Sequence, residues 1–235
     1  MITLRNQRAL PADEVHLWWA SVRESTTCIE NYESLLDGEE RERAARFRVE
    51  AARRRFITGR VMLRRVLSDF TGVEPERVCF AFGAHGKPRL VDGGPCFNLA
   101  HSGDAVVLAV AEDEVGVDVE ELRPLSTTDR LARRICTPGE LGDLLALGPS
   151  ARSGALLRLW TSKEAVLKAL GSGIRGSMRS IEVSLDTNGK LRLLGLRGKP
   201  SSWTLLDAPA PEGMVAAVAV ARPSCRLESR HFRPA

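Results

Sequence analysis

The chain lacks three features that would each indicate a particular class of protein. Its five cysteines are odd in number, widely spaced and never form a C-x-x-C pair, so neither a zinc site nor a disulfide framework is indicated. No apolar run is long enough to cross a membrane, and the first 22 residues lack the charged start and apolar core of a secretory signal. We therefore expect a cytoplasmic protein without a membrane partner, whose thiols are reduced and mostly buried. The cysteines are Cys28, Cys79, Cys96, Cys136 and Cys225.

Aromatic residues are also scarce, at 5% of the chain. Their scarcity helps decide whether the net charge of +4 indicates nucleic-acid binding. Arginines recur densely between Arg41 and Arg65, which is one pattern of a nucleic-acid binder. A single-strand binder would also need aromatic side chains among those cations. The same segment carries apolar residues on one helical stripe, which favours a core helix with a solvated basic side. We therefore predict no nucleic-acid partner. The stripe consists of Ala52, Phe56, Gly59, Leu63, Val66, Leu67 and Phe70.

Lysine is rare, because arginine carries nearly all the other positive charge. It occurs only at positions 87, 163, 168, 190 and 199. Where a chain otherwise uses arginine, a lysine hints at a need for a compact point charge, for example beside a phosphate.

The order of predicted elements is repeated along the 235 residues. A strand, then helices, then further strands occur twice, which predicts an α+β fold of two similar halves. We place the halves at residues 1–112 and 113–235, related by a pseudo-twofold axis, with a site in the cleft between them. We expect the tail from Pro223 to be irregular and Asn188-Gly189 to be a hairpin turn. The expected strands are 15–22, 78–82, 96–100, 105–111, 115–120, 180–186, 191–196, 203–206 and 214–221, and the helices 34–48, 51–70, 128–135, 138–147 and 153–170.

Two segments of the second half place charged groups on defined faces. In the strand from Val115 to Glu120, Asp118 and Glu120 share one face and the valines the other. On the helix ending at Leu170, Glu164 and Lys168 lie four residues apart and so on one side. Taken separately, these are usually a half-exposed strand and a surface ion pair. Together, three carboxylates and an ammonium would suit a hard cation and a phosphate.

A third segment lies in the first half. A predicted strand ends at His101, and Gly86-Lys87-Pro88 precedes that strand. His101 could donate to a phosphate oxygen, and Lys87 could neutralise charge nearby. The ordinary interpretations are a histidine bonded to backbone and a plain turn.

Taken together, these segments resemble the Sfp-type 4′-phosphopantetheinyl transferases. The family pattern is a GKP turn, an F-N-[ILV]-S-H-S strand end, a G-[IV]-D-[IV]-E strand and a W-x-x-K-E-x-x-x-K-A helix. The chain carries all four in that order, and residues 55–64 also resemble a family helix. The resemblance spans about residues 35–221. The matching segments are Gly86 to Pro88, Phe97 to Ser102, Gly116 to Glu120 and Trp160 to Ala169.

The resemblance implies an enzyme that moves 4′-phosphopantetheine from coenzyme A to a serine of an apo acyl or peptidyl carrier protein, releasing 3′,5′-ADP. It implies that Asp118, Glu120 and Glu164 hold Mg²⁺. Lys168 would reach the phosphates, and Glu164 is the expected general base. His101, also counted as catalytic, would help secure the adenosine end and its 3′-phosphate. Coenzyme A would be bound by Arg43, Arg55, Lys87, Pro88, Asn98, Ala100, His101 and Lys168. The family usually has serine at position 100, so Ala100 removes a hydroxyl expected to help hold coenzyme A.

The charge and the duplicated order add expectations about partners. A mildly basic enzyme would attract acidic carrier proteins, and residues Leu122 to Leu131 are expected to border the docking surface. Since two halves already supply a paired architecture, we expect a monomer. Two other functions stay open: a degenerate module that binds coenzyme A without transfer, and a nucleic-acid binder that uses the arginine-rich face.

Overall fold

A computed structural model describes residues 8–23, 32–125, 128–171, 177–185, 191–196, 199–200 and 202–233. The predicted turn at Asn188-Gly189 and Cys28 lie outside these residues. Among the described residues, no helix combines the length and apolar character needed to cross a membrane.

The described residues of the first half form two α-helices and five strands. Its long helix has 22 residues, from Glu50 to Thr71, and is capped by Gly72, whose left-handed φ of 69° suits glycine. Short 3₁₀ turns lie at Glu33–Leu35 and Pro75–Arg77. The elements are β1 (Glu14–Ser21), α1 (Gly38–Ala45), α2 (Glu50–Thr71), β2 (Phe80–Phe82), β3 (Pro88–Leu90), β4 (Cys96–Ser102) and β5 (Ala105–Ala111).

The described residues of the second half repeat this order with one additional helix and one additional strand. Its long helix also has 22 residues, from Pro149 to Leu170, and is capped by Gly171, again left-handed with φ 63°. A 3₁₀ turn at Met178–Ser180 follows. The elements are β6 (Val115–Glu121), α3 (Thr128–Ile135), α4 (Pro138–Ala146), α5 (Pro149–Leu170), β7 (Ile181–Leu185), β8 (Leu191–Leu196), β9 (Lys199–Pro200), β10 (Thr204–Ala208) and β11 (Met214–Val220), and the chain continues to β12 (Arg226–His231).

The strand pairing confirms the predicted duplication. In the first half, β1 pairs antiparallel with β5 and β5 with β4; in the second, β6 pairs with β11 and β11 with β10 in the same way. The registers match too, because Val15 lies opposite Ala111 as Val115 lies opposite Val220. Each long helix covers the outer face of its own sheet, and valines of β1, β5, β6 and β11 form an apolar cluster between the two sheets. The fold is therefore α+β, built from two similar halves.

A buried cation on each long helix is also duplicated. Arg64 stands fourteen residues after the first residue of α2, and Lys163 fourteen after the first of α5. Arg64 bonds Glu40, the third residue of a capping box at the start of α1, and Lys163 bonds Glu140 at the same position of α4. Arg64 is 1% exposed. The prediction of a fully solvated arginine face is therefore wrong at this position, because the capping-box carboxylate neutralises an inward-facing guanidinium.

The tail from Pro223 is not irregular as predicted, because β12 pairs in parallel with β1 from Glu14–Arg226 to Trp19–His231. Its charged sequence lacks the apolar alternation of a half-buried strand, since it lies at the edge of the sheet. The prediction of mostly buried thiols is also wrong for the described cysteines. Cys136 is buried, Cys79 is exposed, and Cys96 and Cys225 are half-buried. Cys96 begins β4 and Cys225 directly precedes β12, and both strands lie at an edge of the sheet, where one side is open to solvent.

Candidate active site at the junction of the two halves

Asp118 lies on the face of β6 that α5 covers, so both faces of this strand are enclosed. Its side chain is almost buried, at 9% exposed, and Oδ1 accepts a hydrogen bond of 2.6 Å from Lys168 Nζ. Within the described part of the chain, no donor reaches the buried Oδ2. A buried carboxylate oxygen without a partner is costly, and a bound cation would remove that cost.

Gly116 brings the strand this close to the helix. A Cβ at position 116 would lie 2.1 Å from Ala165 O and 2.3 Å from Ala169 N, so the two backbones are in direct contact. The strand advances two residues from Gly116 to Asp118. That step sets the carboxylate beside the helix turn that carries Glu164 and Lys168.

Three carboxyl groups share one electrostatic environment here. Burial raises the pKa of Asp118 to about 6; Lys168 opposes this rise, and the charges of Glu120 and Glu164 add to it. Burial also raises the pKa of Glu164; the charge of Lys168 lowers this pKa, and the charge of Glu120 raises it further. The structure therefore brings Asp118, Glu120, Glu164 and Lys168 together, as the sequence predicted.

The carboxylates are turned toward protein donors. Glu120 Oε2 accepts a hydrogen bond of 3.0 Å from Ser102 Oγ, while Asp118 Oδ1 accepts from Lys168. In the ranges that the structure describes, no three acidic, histidine or cysteine side chains are already arranged around a point that a metal could occupy. The chemistry nevertheless fits a hard cation, which prefers oxygen ligands. The negative charges of the three carboxylates repel one another, and Asp118 Oδ2 has no hydrogen-bond donor among the described residues, so a cation would relieve both. Sequence reasoning did not single out Ser102 as a site residue, although it ends the strand-end motif.

His101 and Arg55 approach the same cluster from the first half. Arg55 Nη1 donates to Gly103 O at 2.7 Å, which fixes α2 against the turn after β4. Partial burial of the ring lowers the pKa of His101, and the positive charges of Arg55 and Lys168 add to the effect. Two cations and an imidazole thus face one region, which suits a phosphate.

The other predicted coenzyme A residues serve visible structural contacts. Lys87 Nζ donates to Glu114 Oε2 (2.5 Å), Ala169 O (2.7 Å) and Val115 O (3.1 Å), which uses all three of its protons. Asn98 Oδ1 accepts from Val117 N at 2.9 Å and so joins β4 to β6.

The remaining predicted ligands differ in exposure. Arg43 is exposed and lies over the Phe56 ring, 5.1 Å from its centroid. Pro88 is half-buried at the start of β3. Ala100 is 4% exposed and packs in the apolar cluster between the sheets. A serine hydroxyl at position 100 would therefore also lie in that cluster.

The duplicated register shows that, among the described residues, the positions equivalent to the acidic cluster in the first half do not repeat it. By the equivalence of β6 and β1, Asp118 corresponds to Trp18 and Glu120 to Ala20. By position along the long helices, Glu164 corresponds to Arg65 and Lys168 to Asp69. The described residues therefore carry the acidic cluster at one of two equivalent positions.

A cavity of about 760 Å³ is lined by both halves near the ends of β4 and β6, although no side chain of the acidic cluster lines it. Gly103 and Asp104 follow β4, Glu121 and Leu122 follow Glu120, and Met214 opens β11. The cavity is large enough for a flexible organic group.

Comparison with known proteins identifies the family. The model of the 4′-phosphopantetheinyl transferase superfamily matches residues 114–219, and that of the 4′-phosphopantetheinyl transferase N-terminal region matches residues 18–113. The chain is 37% identical over 217 residues to the 4′-phosphopantetheinyl transferase HetI of Nostoc sp., with 90% of each chain covered. It is 34% identical over 167 residues to psf-1 of Bacillus pumilus (70% of each) and 29% identical over 165 residues to Sfp of Bacillus subtilis (70% of this chain, 73% of Sfp). The chain belongs to the 4′-phosphopantetheinyl transferase family, which confirms the predicted family and enzyme class.

Proposed function

We propose that the cluster at Asp118 is the centre at which this enzyme transfers 4′-phosphopantetheine from coenzyme A to an apo carrier protein. The orphaned, buried Oδ2 of Asp118 carries the proposal. An enclosed carboxyl whose pKa is raised to about 6 beside two further acids is poorly placed for stability alone. Such groups cluster at functional sites.

Asp118, Glu120 and Glu164 would hold Mg²⁺, since carboxylate oxygens are its usual protein ligands. The bound ion would supply charge neutralisation at the attacked and departing phosphates. Lys168 would give its ammonium to the same phosphates. Glu164, with its raised pKa, is better matched to accept a proton near neutral pH than an ordinary glutamate.

The transfer balances without an additional reactant. The carrier serine loses its proton to Glu164, directly or through water, and its oxygen bonds to the β-phosphorus of coenzyme A. The bond from that phosphorus to the bridging oxygen breaks, and 3′,5′-ADP leaves with the electron pair. The site must position these groups and stabilise charge rather than form a covalent enzyme intermediate.

The first half would bind the nucleotide end. Arg55 and His101 have the geometry for this, and Arg43 adds an exposed cation on α1. Lys87, Pro88, Asn98 and Ala100 would border the ligand through backbone or packing. Residues 1–112 would thus serve coenzyme A, and residues 113–235 the metal and phosphates.

The carrier protein would dock along residues 122–131, beside the cavity at Leu122. Residues 126–127 of this stretch lie outside the described residues. Leu131 packs partly buried against the core of the second half. We expect Leu131→Glu to raise the KM for the carrier; an unchanged KM would exclude this surface. We further propose that the enzyme works as a cytoplasmic monomer.

The deciding experiment is an intact-mass assay of an apo carrier protein with the enzyme, coenzyme A and Mg²⁺. We expect a mass increase of one phosphopantetheine group that EDTA prevents and that Asp118→Asn slows by about 100-fold or more. The outcome that contradicts transfer is coenzyme A binding without any mass increase across acyl and peptidyl carriers. That outcome would favour the degenerate module that binds coenzyme A without transfer.

A further inference from the structure

We propose that the buried ion pair Lys163–Glu140 is a positioning device that sets the direction of Glu164 at the active site. The inference rests on the proposed function, because it takes Glu164 to be a metal ligand and base. Neither Lys163 nor Glu140 touches the reacting groups, so both would act through the orientation of α5.

Lys163 is completely buried and fully bonded. Its three ammonium protons meet Glu140 Oε2 at 2.5 Å, Ile135 O at 2.8 Å and Met178 O at 3.1 Å. Three acceptors in different elements fix the ammonium in all directions. The side chain therefore ties the middle of α5 to the end of α3 and to the turn before β7.

Glu140 completes this network. Its Oε2 also accepts from Thr137 N at 2.7 Å, and its Oε1 accepts from Val183 N at 2.8 Å. One carboxylate thus joins the start of α4, the helix α5 and the strand β7. Because every charged atom of the pair has a partner, any rotation of α5 would break several charge-assisted bonds in a buried place.

The next residue along α5 is Glu164. Successive helix residues point about 100° apart, so fixing the direction of Lys163 fixes that of Glu164. On the opposite side, Gly116 of β6 is in backbone contact with Ala165 and Ala169. Held from both sides, α5 has little freedom, and an ion needs its ligand oxygens within a few tenths of an ångström.

The first half provides a matched control. Arg64 is the equivalent buried cation and Glu40 the equivalent acid, and Arg64 also donates to Pro75 O at 3.1 Å and Val78 O at 2.9 Å. The residue after Arg64 is Arg65, which lies outside the proposed site. If the pairs only stabilise their own halves, their removal should have equivalent consequences.

The test compares two double variants, Lys163→Met/Glu140→Gln and Arg64→Met/Glu40→Gln. Changing both partners avoids leaving the buried Lys163 or Glu140 charge unpaired, which would endanger folding. In the first half the double change also removes a partner from Arg60, which bonds Glu40, and from Asp37, which accepts from Arg64, so the control can lose more stability. The readout is the rise in Tm with added Mg²⁺ at saturating coenzyme A, from which a midpoint Mg²⁺ concentration is obtained. Transfer rates at saturating coenzyme A supply kcat.

We expect the Lys163/Glu140 variant to raise the Mg²⁺ midpoint and lower kcat by about tenfold or more, as removal of supports behind metal ligands does. The Arg64/Glu40 variant should have a lower Tm, but its midpoint Mg²⁺ concentration should stay within about twofold of that of the unaltered enzyme. Equal midpoints in both variants would overturn the positioning role. If the unaltered enzyme shows no Mg²⁺-dependent rise in Tm, the proposed metal site fails instead. Should the Lys163/Glu140 variant not fold, Glu140→Asp replaces it, because it keeps a negative charge beside Lys163 but shortens the side chain, and a raised midpoint is again expected.

Discussion

Lys168 Nζ lies 2.6 Å from Asp118 Oδ1, which joins the last turn of the second long helix to a strand fifty residues earlier. The sequence pattern had placed Lys168 on one helix side with Glu164, but the ammonium bonds the strand carboxylate. The contact neutralises part of the charge on Asp118 and leaves Oδ2 for another partner. The ionised carboxylate of Asp118 is therefore expected to be needed for catalysis but to lower the stability of the metal-free fold.

We expect Asp118→Asn to reduce transfer by about 100-fold or more and to stabilise the metal-free fold. The pKa of Asp118 is raised to about 6 in the folded chain, against 3.8 for an ordinary aspartate. The folded chain thus holds a proton that the unfolded chain releases between those values. Its contribution makes stability fall as pH rises through that range. At pH 7 the asparagine removes this cost, worth at most about 3 kcal/mol.

Thermal unfolding in EDTA from pH 4.5 to 7.5 measures this effect. Replacing Asp143, an exposed acid on α4, by asparagine is the control and should not alter the pH dependence. A less stable Asp118→Asn variant at pH 7 would show that the carboxylate stabilises the metal-free fold.

Gly116→Ala should be severely destabilising. The added Cβ would meet backbone atoms of Ala165 and Ala169 at 2.1–2.9 Å, and backbone cannot move aside as a flexible side chain can. We expect a loss of about 3 kcal/mol or more in the free energy of unfolding, with loss of activity. Gly142→Ala is the control, because nothing lies within 4 Å of its added Cβ and alanine favours a helix. Equal denaturation midpoints for the two variants would contradict the close contact.

Much of the fold could be predicted from local periodicity. The alternation of valines with Asp118 and Glu120 located β6, and the apolar stripe around Leu63 located α2, because these patterns depend on neighbours in sequence. The repeated order of elements predicted the two halves. The strand pairing then confirmed them.

The unpredicted features depend on contacts between distant residues. Lys87 bonds Ala169, and Lys163 bonds Glu140 inside the core; neither partner can be inferred from a turn or a helix pattern. The parallel pairing of β12 with β1 joins residues about two hundred positions apart. No local sequence pattern predicts this pairing, because an edge strand need not alternate apolar and polar residues.

The pKa of His101 should depend on Arg55. Burial lowers that pKa first and the Arg55 charge second, so Arg55→Ala should move it upward toward 6.5. Coenzyme A binding should also raise it, because phosphate favours the imidazolium. Titration of ring-labelled histidine by NMR measures both shifts. His16 is an internal reference, since its pKa is set by burial, Glu14, Arg230 and Arg8. An unchanged His101 titration in Arg55→Ala would contradict their proximity.

Lys87→Met distinguishes two roles of Lys87: a structural contact that joins the two halves, or a ligand of the coenzyme A phosphates. The three bonds of Lys87 join the first half to β6 and α5, so we expect a loss of about 2 kcal/mol in stability. The KM for coenzyme A should change by less than about threefold. Arg89→Met is the control: its guanidinium is 69% exposed and 3.8 Å from Glu114, so Tm should hardly move. A raised KM with unchanged Tm would instead establish the ligand role that the family resemblance implies.

The C-terminal strand should be needed to keep the enzyme stable and monomeric. β12 covers the outer edge of β1; His231 stacks on Trp19 with centroids 4.0 Å apart, and Phe232 N donates to Trp19 O at 2.8 Å. Ending the chain after Ser224 removes these contacts and leaves a row of unpaired backbone groups on β1. We expect a lower Tm and concentration-dependent association by light scattering, while a chain ending at Arg233 behaves as the full protein. β4 contacts β6 at the equivalent edge in the second half, where Asn98 bonds Val117, so β12 fills the position that a neighbouring half would otherwise take. A shortened chain with unchanged mass and Tm would show that β12 does not perform this role.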